Sequence, residues 1–286
     1  ISGMTISKSM IRALGIIKRS AAMVNCELGI LDEKRKQAIV QAADEVLKGK
    51  FDDQFLIDIY QTGSGTSSNM NCNEIIANRA SELMGGQIGT REPVHPNNHV
   101  NMGQSSNDVI PTAIHIAANM EIHNSLIPAL QNLANELDQK AQEFAGIIKI
   151  GRTHLQDATP ITLGQEFSGY CQMVKNGMQR LQNVQKHLSK LAQGGTAVGT
   201  GINTKIEFGQ LMAREISRFA GITFTEAVNH FEAQAAQDAA VETSGALKTV
   251  AVSLSKIAND IRWMGSGPRA GIGELILPAV QPGSSI

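Results

Sequence analysis

The stretch Gly151-Arg152-Thr153-His154-Leu155-Gln156-Asp157-Ala158-Thr159-Pro160 sets one histidine among polar side chains, immediately before a long apolar-periodic run. A neutral imidazole accepts a proton and returns it near pH 7, so His154 suits general acid–base work. A lone histidine ahead of a helix is often only a satisfied structural group. At His154, however, Arg152, Thr153, Gln156 and Asp157 gather further polar groups at the start of the predicted helix. His115, His123, His187 and His230 have no such company and read as ordinary helix or loop residues.

Three other segments carry chemistry-bearing residues. Thr62-Gly63-Ser64-Gly65-Thr66-Ser67-Ser68-Asn69 has the look of a phosphate loop, but no Gly-Lys-Ser/Thr follows and no strand pattern precedes it. Two readings remain: a helix-capping turn, or hydroxyls and backbone N–H groups that grip a carboxylate at a helix N-terminus. Gln104-Ser105-Ser106-Asn107-Asp108 opens a long helix, whose positive end would face whatever the serines and Asn107 bind. Asp108 also reads as a cap. Upstream, His95 and His99 have the i, i+4 spacing of a zinc pair, but Pro96 and the Asn97-Asn98 run argue against a helix there, and an anion fits better than a metal. Finally, Gly283-Ser284-Ser285-Ile286 places a serine pair after glycine. It is a mobile loop by default, or a base or nucleophile if its pKa is lowered.

Long helices must position these segments. Amphipathic spacing predicts helices over Ser9–Leu28 and, capped by Asp32, up to Leu47 near Gly49. Gln61 to Asn69 is read as loop, Asn73 to Met84 as a helix ending at Gly85-Gly86, and residues 87–104 as an irregular connection. A very long helix follows from Ser106 to about Phe144, capped by Asn107 or Asp108, with Pro111 in its first turn and a kink at Pro128. Further helices are predicted over Ile161–Ala192, Phe208–Phe219 and the Ala-rich Phe231–Met264, with a Gly/Thr loop at Gly194–Thr204. Three helices of more than ~30 residues far exceed the ~12-residue mean of globular proteins. Such helices pack along their length in bundles, often across subunits. The expected class is all-α, a long-helix bundle, with residues 1–104 as an N-terminal helical domain carrying the loops and 105–286 as the central bundle domain.

Composition narrows the partners. The chain has 286 residues, enough for a large packed core, and balances 25 basic against 26 acidic residues. No dense Lys/Arg run points to nucleic acid, and no apolar run reaches the ~18 residues needed to cross a bilayer. Aromatic residues make up only 4%, which favours helices over a β-sandwich. Cys26, Cys72 and Cys171 form no metal-binding spacing and read as reduced thiols of an intracellular protein. The chain lacks an initial Met and a signal-peptide pattern, and it stops at Ser284-Ser285-Ile286, as a piece of a longer protein would.

Taken in order, these segments resemble the signatures of the fumarase/aspartase superfamily across essentially the whole chain. Ser105-Ser106-Asn107-Asp108 looks like the first signature, Gly151–Pro160 like the second, and Gly283-Ser284-Ser285-Ile286 like the opening of the third. Within the superfamily the nearest likeness is the class II, iron-independent fumarases. Aspartate ammonia-lyases typically have glutamine where this chain has His154, and Gly194–Gly201 and Gly271-Ile272-Gly273-Glu274 also follow the fumarase wording. The resemblance implies a cytoplasmic homotetramer, or a matrix enzyme if eukaryotic, whose active sites are each shared by three subunits. It further implies reversible hydration of fumarate to L-malate with no cofactor and no metal. Ser284 would remove the C3 proton, His154 with Thr153 would handle the water leaving C2, and Ser64, Thr66, Ser105, Ser106 and Asn107 would bind carboxylate. His95, Asn97 and Asn98 match a second dicarboxylate site.

Two departures stand out. Glu92 falls where some members carry a basic residue, and Asn98 where aspartate is common. Members also continue from the serine pair into Met-Pro-Gly-Lys-Val-Asn-Pro and further helices, so the lysine and asparagine that grip substrate would lie beyond Ile286. The alternatives are another superfamily lyase, such as an aspartate ammonia-lyase, and a non-catalytic structural relative.

Overall fold

The structure is a computed structural model and describes residues 2–283. Ser284, the expected base, and its neighbour Ser285 lie outside the described residues. Helix starts follow from side chains that satisfy free N–H groups. Ser7 accepts from Met10 N–H and opens α1 (Lys8–Glu27), and Asp32 accepts from Arg35 N–H and opens α2 (Glu33–Leu47). Both agree closely with the predicted spans.

The helix α3 (Thr66–Leu83) starts at Thr66 and not at Asn73. Gly65 adopts the left-handed conformation (φ 66°), which glycine tolerates best, and turns the chain directly into the helix. The stretch Thr66–Asn69, expected as loop, is therefore its first turn. Within the irregular connection that follows, Pro96–Val100 form a single π-helical turn. The expectation of no helix at His95–His99 is corrected to that extent: proline is tolerated there because it sits at the first position of the turn.

The long helix predicted from Ser106 is interrupted. It comprises α4 (Ser106–Glu121), a π-helical turn at Ile122–Leu126, and α5 (Ile127–Glu143). Pro128 accounts for the widened turn, since it offers no N–H to the carbonyl of Asn124 and its ring crowds that carbonyl. Next come two strands, β1 (Ile148–Thr153) and β2 (Gln156–Thr162), paired antiparallel from Ile148↔Thr162 to Thr153↔Gln156. α6 (Leu163–Leu188) then begins. Beyond it, β3 (Lys190–Leu191) pairs in parallel with β4 (Thr225–Glu226), and α7 (Phe208–Ala220) lies between them in sequence. The helix predicted over Phe231–Met264 is two: α8 (His230–Ala235) and α9 (Asp238–Met264). Ala236 is extended (ψ 147°), and Asp238 supplies the acidic first turn of a new helix.

The result is mostly helical, with only short strands. Contacts group the chain into two compact units, one formed by the chain up to Leu126 with Asn183–Glu242, the other by Ile127–Gln182 with the chain from Thr243. In the first unit α1 buries Leu14, Ile17, Ala21 and Val24 with Ala42 and Val46 of α2, Ile76 of α3, and Phe208 and Met212 of α7. In the second, Phe144, Phe167 and Tyr170 stack edge to face, with centroids 5.2 and 5.6 Å apart. Among the described residues no helix is long and apolar enough to cross a membrane, and the three cysteines are free thiols.

Candidate active site

In the first unit, the N-termini of α3 and α4 are joined by a row of hydroxyls. Thr62 and Ser64 oxygens are 3.2 Å apart, Ser64 and Thr66 3.0 Å, and Thr66 and Ser106 3.0 Å. Each helix end offers unsatisfied N–H groups and a partial positive charge of ~0.5. Ser64, Ser106 and Asn107 line an adjoining cavity of about 660 Å³, together with Ile110, Pro111, Val198 and Phe231. Among the described residues no lysine or arginine lines it. The close approach depends on Gly65, where a Cβ would stand 2.9 Å from Ile110 Cδ1.

Ser105 is less available. It is the N-cap of α4, its Oγ accepting from Asn107 N–H, and it forms a reciprocal capping box with Asp108. The cap is thus Ser105, not Asn107 or Asp108. Asn107 points across to the Gly/Thr loop and donates to the Ala197 carbonyl at 2.7 Å. Asp108 is fully buried. One carboxylate oxygen accepts from Ser105 N–H (2.9 Å); the other accepts from Gln193 Nε2 and from the N–H groups of Gly194 and Thr196 (2.9–3.2 Å). Burial pushes its pKa up to about 6, against the pull of these donors. It ties the Gly194 loop to the helix that carries Ser106.

At the expected second site, His95 Nδ1 accepts from the N–H groups of Asn97 and Asn98 at 3.1 and 3.2 Å. The histidine therefore occupies the donors that an anion would seek at this turn. His99 Nδ1 accepts from His95 N–H at 2.8 Å, and burial lowers its pKa, with Arg35 and His95 adding to the effect. Among the described residues no cluster of three or more His, Cys, Asp or Glu could hold a metal.

His154 lies in the second unit. It and Leu155 form the two-residue turn between β1 and β2, at φ 53° and 59°. Two-residue hairpin turns of this hand favour glycine or asparagine, and a leucine there is strained. The expectation that His154 sits at a helix start is corrected: it projects from the tip of a strand pair, and α6 begins only at Leu163. Strain of this kind concentrates at functional sites. Thr153 and His154 border a cavity of about 940 Å³, together with Lys149, Arg152, Glu166, Lys256 and Asp260.

Ionic contacts fix the base of this hairpin. Glu274 accepts from both Arg152 Nη atoms (2.7 and 3.2 Å) and lies 2.7 Å from Lys149 Nζ. Lys149 also pairs with Glu166 of α6. Burial pushes the Glu274 carboxyl up, but the Arg152 and Lys149 hydrogen bonds outweigh it and leave the group below the usual carboxylate range. Tyr170 Oη lies 3.2 Å from both Glu166 and Asp260, and burial with those two carboxylates drives its pKa well above the ordinary phenol value.

A family profile described as "Lyase" matches residues 1–286. The chain belongs to this lyase family. Among curated proteins, this lyase chain is 61% identical over 277 residues to the mitochondrial fumarate hydratase of Saccharomyces cerevisiae, covering 97% of the chain and 57% of that protein. It is 58% identical to the class II fumarate hydratase of Caulobacter vibrioides, covering 97% and 60%. The chain thus spans between half and two thirds of these relatives. The class II fumarase of Schistosoma mansoni superposes with a TM-score of 0.96 at 41% identity, covering 99% of this chain and 62% of that one. A Brucella melitensis protein described as fumarate lyase:delta crystallin gives 0.93 at 44%, covering 100% and 62%. The class II fumarase likeness drawn from the motifs is borne out by these matches.

Sequence reasoning missed three functional candidates. Asp108 was visible as the fourth residue of a Ser-x-x-Asp capping pattern, but its reach to Gly194 and Thr196 was not. Lys18, fully buried on the apolar face of α1, was signalled by its place one turn after Leu14. The Glu274 contacts with Lys149 and Arg152 had no local signal, since more than 120 residues part Glu274 from either.

Proposed function

We propose that this lyase reversibly hydrates fumarate to L-malate. The row of hydroxyls joining two helix N-termini, beside a cavity that no basic side chain lines among the described residues, carries the reading. Neutral donors and helix dipoles hold a carboxylate there without the tight ion pairs that would slow release of a dianion. In this reading Ser64, Thr66, Ser106 and Asn107 bind a substrate carboxylate, and Ser105 shapes the end of α4.

Malate's C3 proton passes to Ser284, which must enter the step as its alkoxide, and the C3–H electron pair spreads onto the adjacent carboxylate. Preorganised donors must stabilise that charge. The C2–O bond then breaks, the C=C bond of fumarate forms, and His154 gives the departing oxygen its proton to release water. Thr153 steadies His154. His154 enters as the imidazolium, and the proton gained by Ser284 returns to His154 through solvent, so protons and electron pairs balance over the cycle without a cofactor. A homotetramer with sites shared by three subunits, the arrangement that the fumarase likeness implies, is part of the proposal. So is the division into a loop-bearing segment 1–104 and a bundle segment 105–286. A second dicarboxylate site at His95, Asn97 and Asn98 is proposed as weak, given the occupied N–H groups and the exposed Glu92.

The test offers the full-length protein L-malate and L-aspartate in parallel while fumarate absorbance is followed. Fumarate from malate alone is expected, with kcat reduced ~10²- to 10⁴-fold in His154→Asn. Fumarate from aspartate would move the chain to the ammonia-lyases. A folded protein silent with both would favour another substrate or a structural role.

A further inference from the structure

We propose that Lys18 is a positioning residue for the carboxylate cradle: a buried ammonium that braces the segment leading into Ser105–Asn107 and places positive charge behind the N-termini of α3 and α4. The inference rests on the dicarboxylate reading of that cradle.

Lys18 is fully buried in α1, on the face that otherwise holds Leu14, Ile17 and Ala21. A buried ammonium is costly, and a methionine or leucine would fill the same space without that cost. Its Nζ donates to Asn101 Oδ1 at 2.8 Å and to Gln104 Oε1 at 2.9 Å. Among the described residues no carboxylate touches it, so its charge is not consumed in a contact ion pair. The titratable groups that face it are Cys72 of α3 and Asp108 of α4.

The two amides connect Lys18 to both helix ends. Asn101 Oδ1 also accepts from Asn69 Nδ2 (3.3 Å), one turn into α3 from Thr66. Gln104 immediately precedes Ser105, and its Nε2 donates to the carbonyls of Val100 and Met102. A lysine has only donors, so its presence holds both amide oxygens inward and fixes the backbone from which α4 starts. A charge in this dry setting, behind two helix N-termini, acts on an anion at the cradle with little screening.

Burial pulls the Lys18 pKa down from 10.5 to about 8, against the attraction of Cys72 and Asp108. The ammonium is therefore charged at neutral pH and loses its charge above about 8. Affinity for a dicarboxylate should weaken as pH rises through this value, with KM rising while kcat changes less.

The experiment measures calorimetric binding of succinate, an unreactive four-carbon dicarboxylate, to the full-length protein on both sides of pH 8, together with KM and kcat for L-malate. The expected weakening is about tenfold, equal to one pKa unit of coupling. Lys18→Arg keeps the charge at all these pH values and should abolish the weakening. Gln104→Glu sets a carboxylate beside the ammonium and should move it to higher pH. The Gln104 variant carries the test if the arginine does not fit. A flat profile in the unaltered protein overturns the proposal, as does a profile left in place by these variants. Malate turnover with a flat profile sinks the Lys18 role alone. A pH-dependent succinate affinity without malate turnover leaves Lys18 in place and sinks the hydratase reading. No succinate binding at all sinks the cradle and the Lys18 role together.

Discussion

At the residue scale, the first unit holds two fully buried charges of opposite sign, Lys18 and Asp108, and both resist their ionised forms. The Asp108 pKa is raised from 3.8 to about 6 by burial. The folded state then binds this proton more tightly than the unfolded chain does. The resulting contribution is fully present below pH 3.8 and is lost as pH rises through about 6, by about 3 kcal/mol. Lys18 works in the opposite direction: its depressed pKa contributes stability above 10.5, lost as pH falls through about 8. Urea unfolding should show stability falling between about pH 4 and pH 6 and levelling off above it, and Asp108→Asn should remove this fall. A fall that survives the substitution would belong to another group. Neither pKa was legible in the sequence, because each depends on groups far along the chain: Gly194 and Thr196 for Asp108, Asn101 and Gln104 for Lys18. His154 was legible as a chemical group, since its polar neighbours adjoin it in sequence. Its strained turn was not, because His-Leu carries no turn signal.

At the element scale, the β1–β2 hairpin is two short strands, marginal on their own, with exposed His154 at the tip. What holds it is the contact of Glu274 with Lys149 and Arg152, and of Lys149 with Glu166 at the start of α6. Lys149 is only 7% exposed, so removing a partner leaves a charge poorly compensated. Glu274→Gln should destabilise this unit by about 2 kcal/mol and speed amide exchange in β1 and β2. It should also lower kcat in the full-length protein, because His154 loses its fixed base. Unchanged exchange in the hairpin would show that the contacts are incidental. Periodicity and capping read the elements well where one local rule dominates: Asp32 caps α2, and the helix predicted over Phe208–Phe219 is α7 (Phe208–Ala220). They misread the elements where rules compete. Apolar spacing continues straight through Ala236-Gln237, where the backbone breaks; at Pro128 the expected kink takes the form of a π-helical turn just before it. The Gly/Ser/Thr composition of 62–69 looks like loop, yet Gly65 starts a helix within it.

At the scale of the whole molecule, the burial pattern of α9 supports the proposed assembly of several copies of this chain. Its buried residues are Thr243, Val250, Ile257 and Met264, one every seventh position along 27 residues. A helix packed against its own subunit over a full face would bury three or four positions in each seven. Leu247, Val252 and Trp263 are 38%, 62% and 52% exposed, and Ala251 and Ala258 are exposed as well. Apolar surface of this extent on a helix of 27 residues suits an interface with further helices. The single buried stripe is what remains when partner helices supply the other faces, as the proposed four-subunit bundle requires. Sedimentation equilibrium of the full-length protein should give a tetramer. Val252→Lys, at a position already open in the isolated chain, should leave the monomer's helix content intact by circular dichroism while dissociating the assembly and abolishing malate turnover. Activity retained by a folded monomer would refute shared sites and require His154 and the hydroxyl row to act within one chain.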